Sequence, residues 1–243
     1  MSAPAASPTV RVRHNRVELA LHRLRGDDGA GGAGGAGGAG GAGAGRAGAG
    51  RALLHLHGLG ERSPEAVPDR LASWPGPVWA LDFTGHGASS LPAGGGYFCE
   101  VLMADTDAAL AHLGAATIYG RGLGGYVALL IAGSRPDLVR GAVIDDGPGL
   151  TGGGTEPTTP FVLSQPLTTT GTPDPYALLE LSQDVRPPDY ASTYARQAAT
   201  LSGLDVALAV SAVVRPPWLA AVAREPGARE LSVAEALALF AAV

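Results

Sequence analysis

Ile118-Tyr119-Gly120-Arg121-Gly122-Leu123-Gly124-Gly125-Tyr126-Val127-Ala128-Leu129-Leu130 changes character halfway along its length. Its first residues, with Ala116-Thr117 before them, have the make-up of a short buried strand. From Gly125 to Gly133 the apolar residues recur at helical spacing. Between the two lie glycines at 120, 122 and 124, which permit a sharp reversal that side chains would obstruct. The segment therefore reads as strand, tight turn, helix. A turn of this kind projects its apical residue away from the backbone, and that residue is Gly122, which has no side chain to project.

The same alternation repeats outward from this segment. Ala52-Leu53-Leu54-His55-Leu56, Val78-Trp79-Ala80-Leu81 and Gly141-Ala142-Val143-Ile144 are short apolar runs of the kind that form parallel strands buried on both faces. Helical spacing fills the intervals Glu65 to Ser73 and Tyr97 to Leu113. Upstream, Val10-Arg11-Val12 and Val17 to Leu21, separated by Arg13-His14-Asn15-Arg16, predict a β-hairpin. Downstream, a Gly/Thr/Pro-rich loop after Gly147 leads to helices around Tyr176 to Gln183 and Tyr190 to Leu201. A strand at Val206 to Val214 follows, then helices near Trp218 to Arg224 and Val233 to Ala242. Repeated strand-helix units imply an α/β fold with a mostly parallel, doubly wound sheet, in which ligands gather at the carboxyl ends of the strands.

Composition sets bounds on partners and compartment. The chain of 243 residues is expected to form one domain spanning 1–243, with 151–205 as a small helical cap. Residues 26–50 are a Gly/Ala repeat with few side chains able to offset the entropy of ordering, and read as a flexible insertion. A net charge of −5, with 17 thinly spread arginines and no lysine, argues against nucleic acid as a partner. The N-terminus lacks a basic stretch followed by an apolar run, and stretches such as Tyr126 to Ala132 are far shorter than the ~18 residues a membrane span needs. A soluble cytoplasmic protein is expected. The single cysteine, Cys99, excludes an internal disulfide, and no Cys/His spacing suggests a metal. Oligomeric state is left open.

Three loops follow the predicted strands: His57-Gly58-Leu59-Gly60 after the first, Asp82-Phe83-Thr84-Gly85-His86-Gly87-Ala88-Ser89 after the second, and Gly120-Arg121-Gly122-Leu123-Gly124-Gly125 after the third. In this order and spacing they resemble the α/β-hydrolase superfamily, over about residues 10 to 148, with the remainder agreeing in topology. The resemblance implies an ester or related small-molecule substrate class and no cofactor. It assigns the nucleophile to position 122 and the oxyanion-binding N–H groups to Leu59 and Leu123. It also places Gly58, His57, His86 and Arg121 around the pocket, where the apolar run Phe161-Val162-Leu163 and Tyr176, Tyr190 and Tyr194 would suit a small apolar ligand.

Two members of that machinery are missing. Gly122 offers no hydroxyl, thiol or carboxylate, so covalent catalysis from that position is excluded chemically. All six histidines lie at or before His112, whereas the family's histidine follows the last strand. After the Val206 to Val214 strand, where the acid usually sits, the chain reads Arg215-Pro216-Pro217-Trp218; Asp146, after the preceding strand, is the candidate acid. These deficits point to a degenerate, non-catalytic site. Two alternatives stand beside it: water activated by His57 or His86 in a non-covalent reaction, and dinucleotide binding through Gly120, Gly122 and Gly125 with Asp145 on the ribose.

Overall fold

The computed structural model describes residues 9–26, 50–92, 95–156 and 171–243. The expected insertion lies almost wholly outside the described residues, as does Phe161-Val162-Leu163. Eight strands form one sheet: β1 (Thr9–His14), β2 (Val17–Arg25), β3 (Ala52–Leu56), β4 (Val78–Leu81), β5 (Ala116–Arg121), β6 (Val139–Asp145), β7 (Leu208–Val210) and β8 (Ala228–Glu230). Their order is β1-β2-β4-β3-β5-β6-β7-β8. The first two are the anticipated hairpin, turned at Asn15 with φ 52°, a left-handed conformation that asparagine tolerates. β2 pairs antiparallel to β4, and from β4 to β8 every pairing is parallel.

Strand alternation builds two cores. Leu54, Leu56, Ile118, Ala142, Ile144, Leu208 and Val210 join the larger one, with α1 (Cys99–Leu113), α2 (Leu123–Ser134), α4 (Pro188–Leu201) and α5 (Pro217–Val222). Their neighbours Leu53, Tyr119, Val143 and Ala209 point to the opposite face and meet Leu71, Trp74, Leu237 and Phe240. The last two belong to α6 (Val233–Ala241), whose start is secured by a reciprocal Ser232/Glu235 capping box. Because a strand presents successive side chains to opposite faces, apolar runs without polar alternation demand cover on both sides. α2 is buried from Leu123 to Gly133, as its all-round apolar surface requires.

Several expectations need revision. The helix read at Glu65 to Ser73 is only a single 3-10 turn, Asp69–Leu71, preceded by Pro68. Prolines at 64 and 68 remove amide donors that a longer helix would use. β7 is shorter than the predicted Val206 to Val214, and β8 was not anticipated because its exposed Ala-Arg-Glu carries no apolar pattern. Within 151–205 the two helices differ: α3 (Pro175–Gln183) meets the loops after β3 and β4, through Leu178 beside Gly60 and the Asp174 N–H on the Gly85 carbonyl, while α4 packs on α2 and α5. Among the described residues no helix is long and apolar enough to cross a membrane.

Gly141 shows how tightly α6 is seated. It has φ 103°, and a Cβ there would enter the Phe240 ring. Gly114, which ends α1 with φ 75°, faces open space. Gly114→Ala should therefore cost about 1–3 kcal/mol from backbone strain alone. Gly141→Ala should cost roughly 1–3 kcal/mol more through overpacking. Urea unfolding of the two variants measures the difference, and equal losses would show that Phe240 yields freely.

Candidate active site

The loops after β3, β4, β5 and β6 meet at one end of the sheet. Their histidines are structural in geometry. His57 is fully buried; its Nδ1–H donates to the Gly58 carbonyl at 2.8 Å, and its Nε2 accepts the Phe83 N–H at 3.2 Å. His86 repeats the pattern, with Nδ1–H donating to the Thr84 carbonyl at 3.1 Å and Nε2 accepting from the Gly60 N–H at 3.3 Å. The two rings lie 5.1 Å apart. Burial, reinforced by the neighbouring His86, pushes His57 down to about 4, and burial likewise lowers His86. Both imidazoles are neutral near pH 7, and each of their four nitrogens serves a backbone group.

The remaining loop residues follow from two buried carboxylates. Asp82 accepts from the Ser63 and Ala88 N–H groups at 2.7 Å and contacts His22 at 3.0 Å; these partners overcome burial and hold its carboxyl well below the usual range. Asp105 accepts from the Thr84 N–H and hydroxyl and contacts His14. A side chain at Gly87 would collide with the Asp82 carboxylate. The Thr-Gly-His-Gly sequence is therefore a loop wrapped around acids.

At the turn between β5 and α2, Gly122 has φ 57° and ψ −119°. Its neighbours must be small: a Cβ on Gly120 would strike the Gly124 carbonyl, and one on Gly124 would strike the carbonyls of Leu56 and His57. The strained elbow survives without a projecting atom. Above it lies the loop Gly147-Pro148-Gly149. A Cβ on Gly122 would overlap the Pro148 carbonyl oxygen and crowd Gly147.

That same oxygen accepts two hydrogen bonds, from the Leu59 N–H at 3.0 Å and the Leu123 N–H at 2.9 Å. The two amides singled out from the sequence thus converge on one point, and a carbonyl of the chain itself occupies it. Gly58 and Gly149 allow the approach, since a Cβ on either would press on Pro148 or on Leu59 respectively. Beyond Pro148 the loop is gripped by Arg186, a fully buried side chain whose Nη1 donates to the carbonyls of Gly149 and Leu150, each at 2.6 Å. Its guanidinium lies 4.6 Å from the Tyr126 ring centre, and Trp218 donates to the same Leu150 carbonyl at 2.9 Å. Cys99 sits beside Arg186 as a buried thiol whose pKa burial raises.

The other candidates lie apart from this point. Asp146 accepts the N–H groups of Val213 and Val214 at 2.6 and 3.0 Å, anchoring the turn after β7, and has no histidine partner among the described residues. Arg121 pairs with Glu61, whose other oxygen accepts the Gly58 N–H at 2.9 Å. Tyr190 and Tyr194 bond to each other, and Tyr190 to Glu100, at the α1 surface. The first amides of α2 are all taken: Leu123 by Pro148, Gly124 by His57 and Gly125 by Gly122. Asp145 is held by Arg70 and Tyr119, both at 2.6 Å. This arrangement leaves no open cradle for a pyrophosphate and no free acid for a ribose. Pro148 and Arg186 belong to none of the three loop motifs, and the one signal for them in the sequence is the Gly-Pro-Gly triplet directly after β6, a composition that lets backbone approach backbone closely.

No family model matches the chain, and no curated protein is detectably similar to it. Among solved structures it is similar to Est1E from Butyrivibrio proteoclasticus, with ferulic acid bound. That match has 12% identity and a TM-score of 0.60, over 92% of this chain and 88% of that one. It is also similar to the N-formylmaleamic acid deformylase of Pseudomonas putida at 13% identity and a TM-score of 0.57, over 93% and 92%. An α/β hydrolase from Novosphingobium aromaticivorans aligns at 20% identity and a TM-score of 0.44, over 58% of this chain. This chain covers 44% of that chain's length, and 42% of a lipase candidate from Acinetobacter baumannii. With its hairpin, parallel sheet, helices on both faces and glycine elbow between β5 and α2, the chain has the α/β-hydrolase fold.

Proposed function

We propose that this is a hydrolase-fold protein without covalent hydrolytic activity, in which the Leu59 and Leu123 amides form an oxyanion hole closed by the chain's own Pro148 carbonyl. The observation that carries the reading is the shared acceptor: both N–H groups point at one oxygen, and that oxygen stands where a Cβ at position 122 would have to be. In a working site each such amide contributes about 3 kcal/mol to lowering the barrier, because it meets charge that develops only in the transition state. Here both amides are satisfied before any substrate arrives. Withdrawing the carbonyl would sacrifice two buried hydrogen bonds, worth about 1 kcal/mol each, and disturb the charge-assisted contacts of Arg186, worth about 1.5–3 kcal/mol each.

The alternative of water activation by His57 or His86 is disfavoured by the same kind of accounting, since both rings spend both nitrogens on backbone. A small apolar ligand directly over the elbow would have to displace Pro148. The function proposed for the fold is therefore binding or structural.

Chromogenic esters from acetate to octanoate should show no turnover above buffer, and a serine-directed fluorophosphonate should leave the native protein unlabelled. Labelling of the native chain would overturn the reading. Gly122→Ser should remain inactive, because no histidine follows His112, and should be less stable by at least about 1–3 kcal/mol. Strong ester turnover by this variant would show that the loop opens and that a base exists elsewhere.

The neutral histidines make a separate prediction. Their folded pKa values lie below the unfolded value of about 6.5, so an unfolded chain takes up protons that the native chain refuses. Stability should therefore fall as pH drops from about 6.5 toward 4. His14, raised chiefly by its bond to Asp105, has its full contribution already in place below 6.5 and does not mask the fall. Urea midpoints across this window test it; a flat profile would mean that these rings protonate in the folded state, as an accessible base would.

A further inference from the structure

On the opposite face of the sheet from α1 and α2, a cleft of about 390 Å³ opens between the ends of β3 and β5 and the chain leading into the 3-10 turn. Three guanidinium groups line it, those of Arg62, Arg70 and Arg121, with Glu61 and the rings of His55 and Tyr119. The rings are stacked, with centres 5.4 Å apart and planes 19° from parallel. His55 is only 6% exposed, and its Nδ1 is buried with no hydrogen-bond partner. We propose that this cleft binds the carboxylate or phosphate of a small organic molecule, held by the arginine forks of Arg70 and Arg121 against the wall formed by the His55 and Tyr119 rings.

The arginines have capacity for such a ligand. Arg70 directs a single nitrogen, Nη1, at both Asp145 (2.6 Å) and Tyr119 (3.2 Å). Arg121 likewise uses Nη1 on Glu61. Each guanidinium has a planar fork of five donors, so the remaining nitrogens can bind a second oxyanion. Arg62 reaches Glu65 at 3.5 Å with both side chains largely in solvent, an interaction an incoming anion displaces at little cost. Burial, then His57 and the two guanidiniums Arg121 and Arg70, push His55 down to about 3. The imidazole is therefore neutral, and its ring forms wall without adding charge. The cleft falls within the volume range of small-molecule sites, and Pro64 and Pro68 add apolar wall for the body of the ligand. This site is separable from the closed elbow: its donors lie on the other face and none of them bonds to Pro148, although the Arg121 stem rests against Gly147.

The test is an NMR titration of the isotopically labelled full chain at pH 7 and constant ionic strength, with inorganic phosphate in one arm and benzoate in the other. The His55 and Tyr119 ring signals should move saturably, and the tighter arm identifies the anion. Arg121→Gln should weaken binding at least fivefold, and Arg62→Gln, at an exposed position, should weaken it about twofold. Arg224→Gln, on a remote exposed arginine, should leave it unchanged. Shifts that never saturate, or saturation that survives both cleft substitutions unchanged, would overturn the proposal.

Discussion

A carbonyl oxygen has two lone pairs, and at the carboxyl edge of this sheet those of Pro148 are met by two amides from different loops, Leu59 after β3 and Leu123 at the start of α2. Backbone N–H groups buried without partners are expensive. Here the chain pairs both of them internally. The loop after β6 is thereby tied to the loop after β3 and to the first turn of α2. Arg186 extends the tie to the segment ahead of α4, and Trp218 extends it to α5. Three consecutive parallel strands are thus locked together at the end where such folds ordinarily admit a ligand.

The missing side chain at 122 and the filled site above it are two sides of one steric constraint. A Cβ at 122 and the Pro148 carbonyl cannot share the same space. Glycines at 58, 147 and 149 serve the same packing, each allowing close approach of the Gly-Pro-Gly loop to its surroundings. Glycine at 122 is therefore matched to the loop that lies over it. The backbone of that loop ties up the Leu59 and Leu123 amides.

Much of the fold was legible locally. Ala52 to Leu56 and Gly141 to Ile144 are apolar on both strand faces, and only a sheet covered on both sides accommodates that. Gly120, Gly122 and Gly124 announced the sharp turn. The errors arose where context overrides local pattern. The apolar spacing from Glu65 to Ser73 is genuine, but prolines confine its helical part to one turn, and Leu71 and Trp74 are buried by the shape of the loop. β8 is an edge strand with an exposed face, and its identity comes from pairing with β7.

For the candidate site, the residue types alone determined what chemistry was impossible: glycine at 122 has nothing to attack with, and no histidine exists beyond 112 to serve as its base. The two amide donors could also be named, because their positions follow from the order of strands and loops. What occupies them could not be read from the sequence, since a backbone carbonyl is common to every residue and its direction depends on long-range packing. Only the folded chain brings Pro148 over Gly122, turns both nitrogens of His57 and His86 onto backbone, and aims Asp146 at the turn after β7. Chemical capacity belongs to residue identity, whereas the state of a site depends on which distant groups the tertiary structure presses into contact.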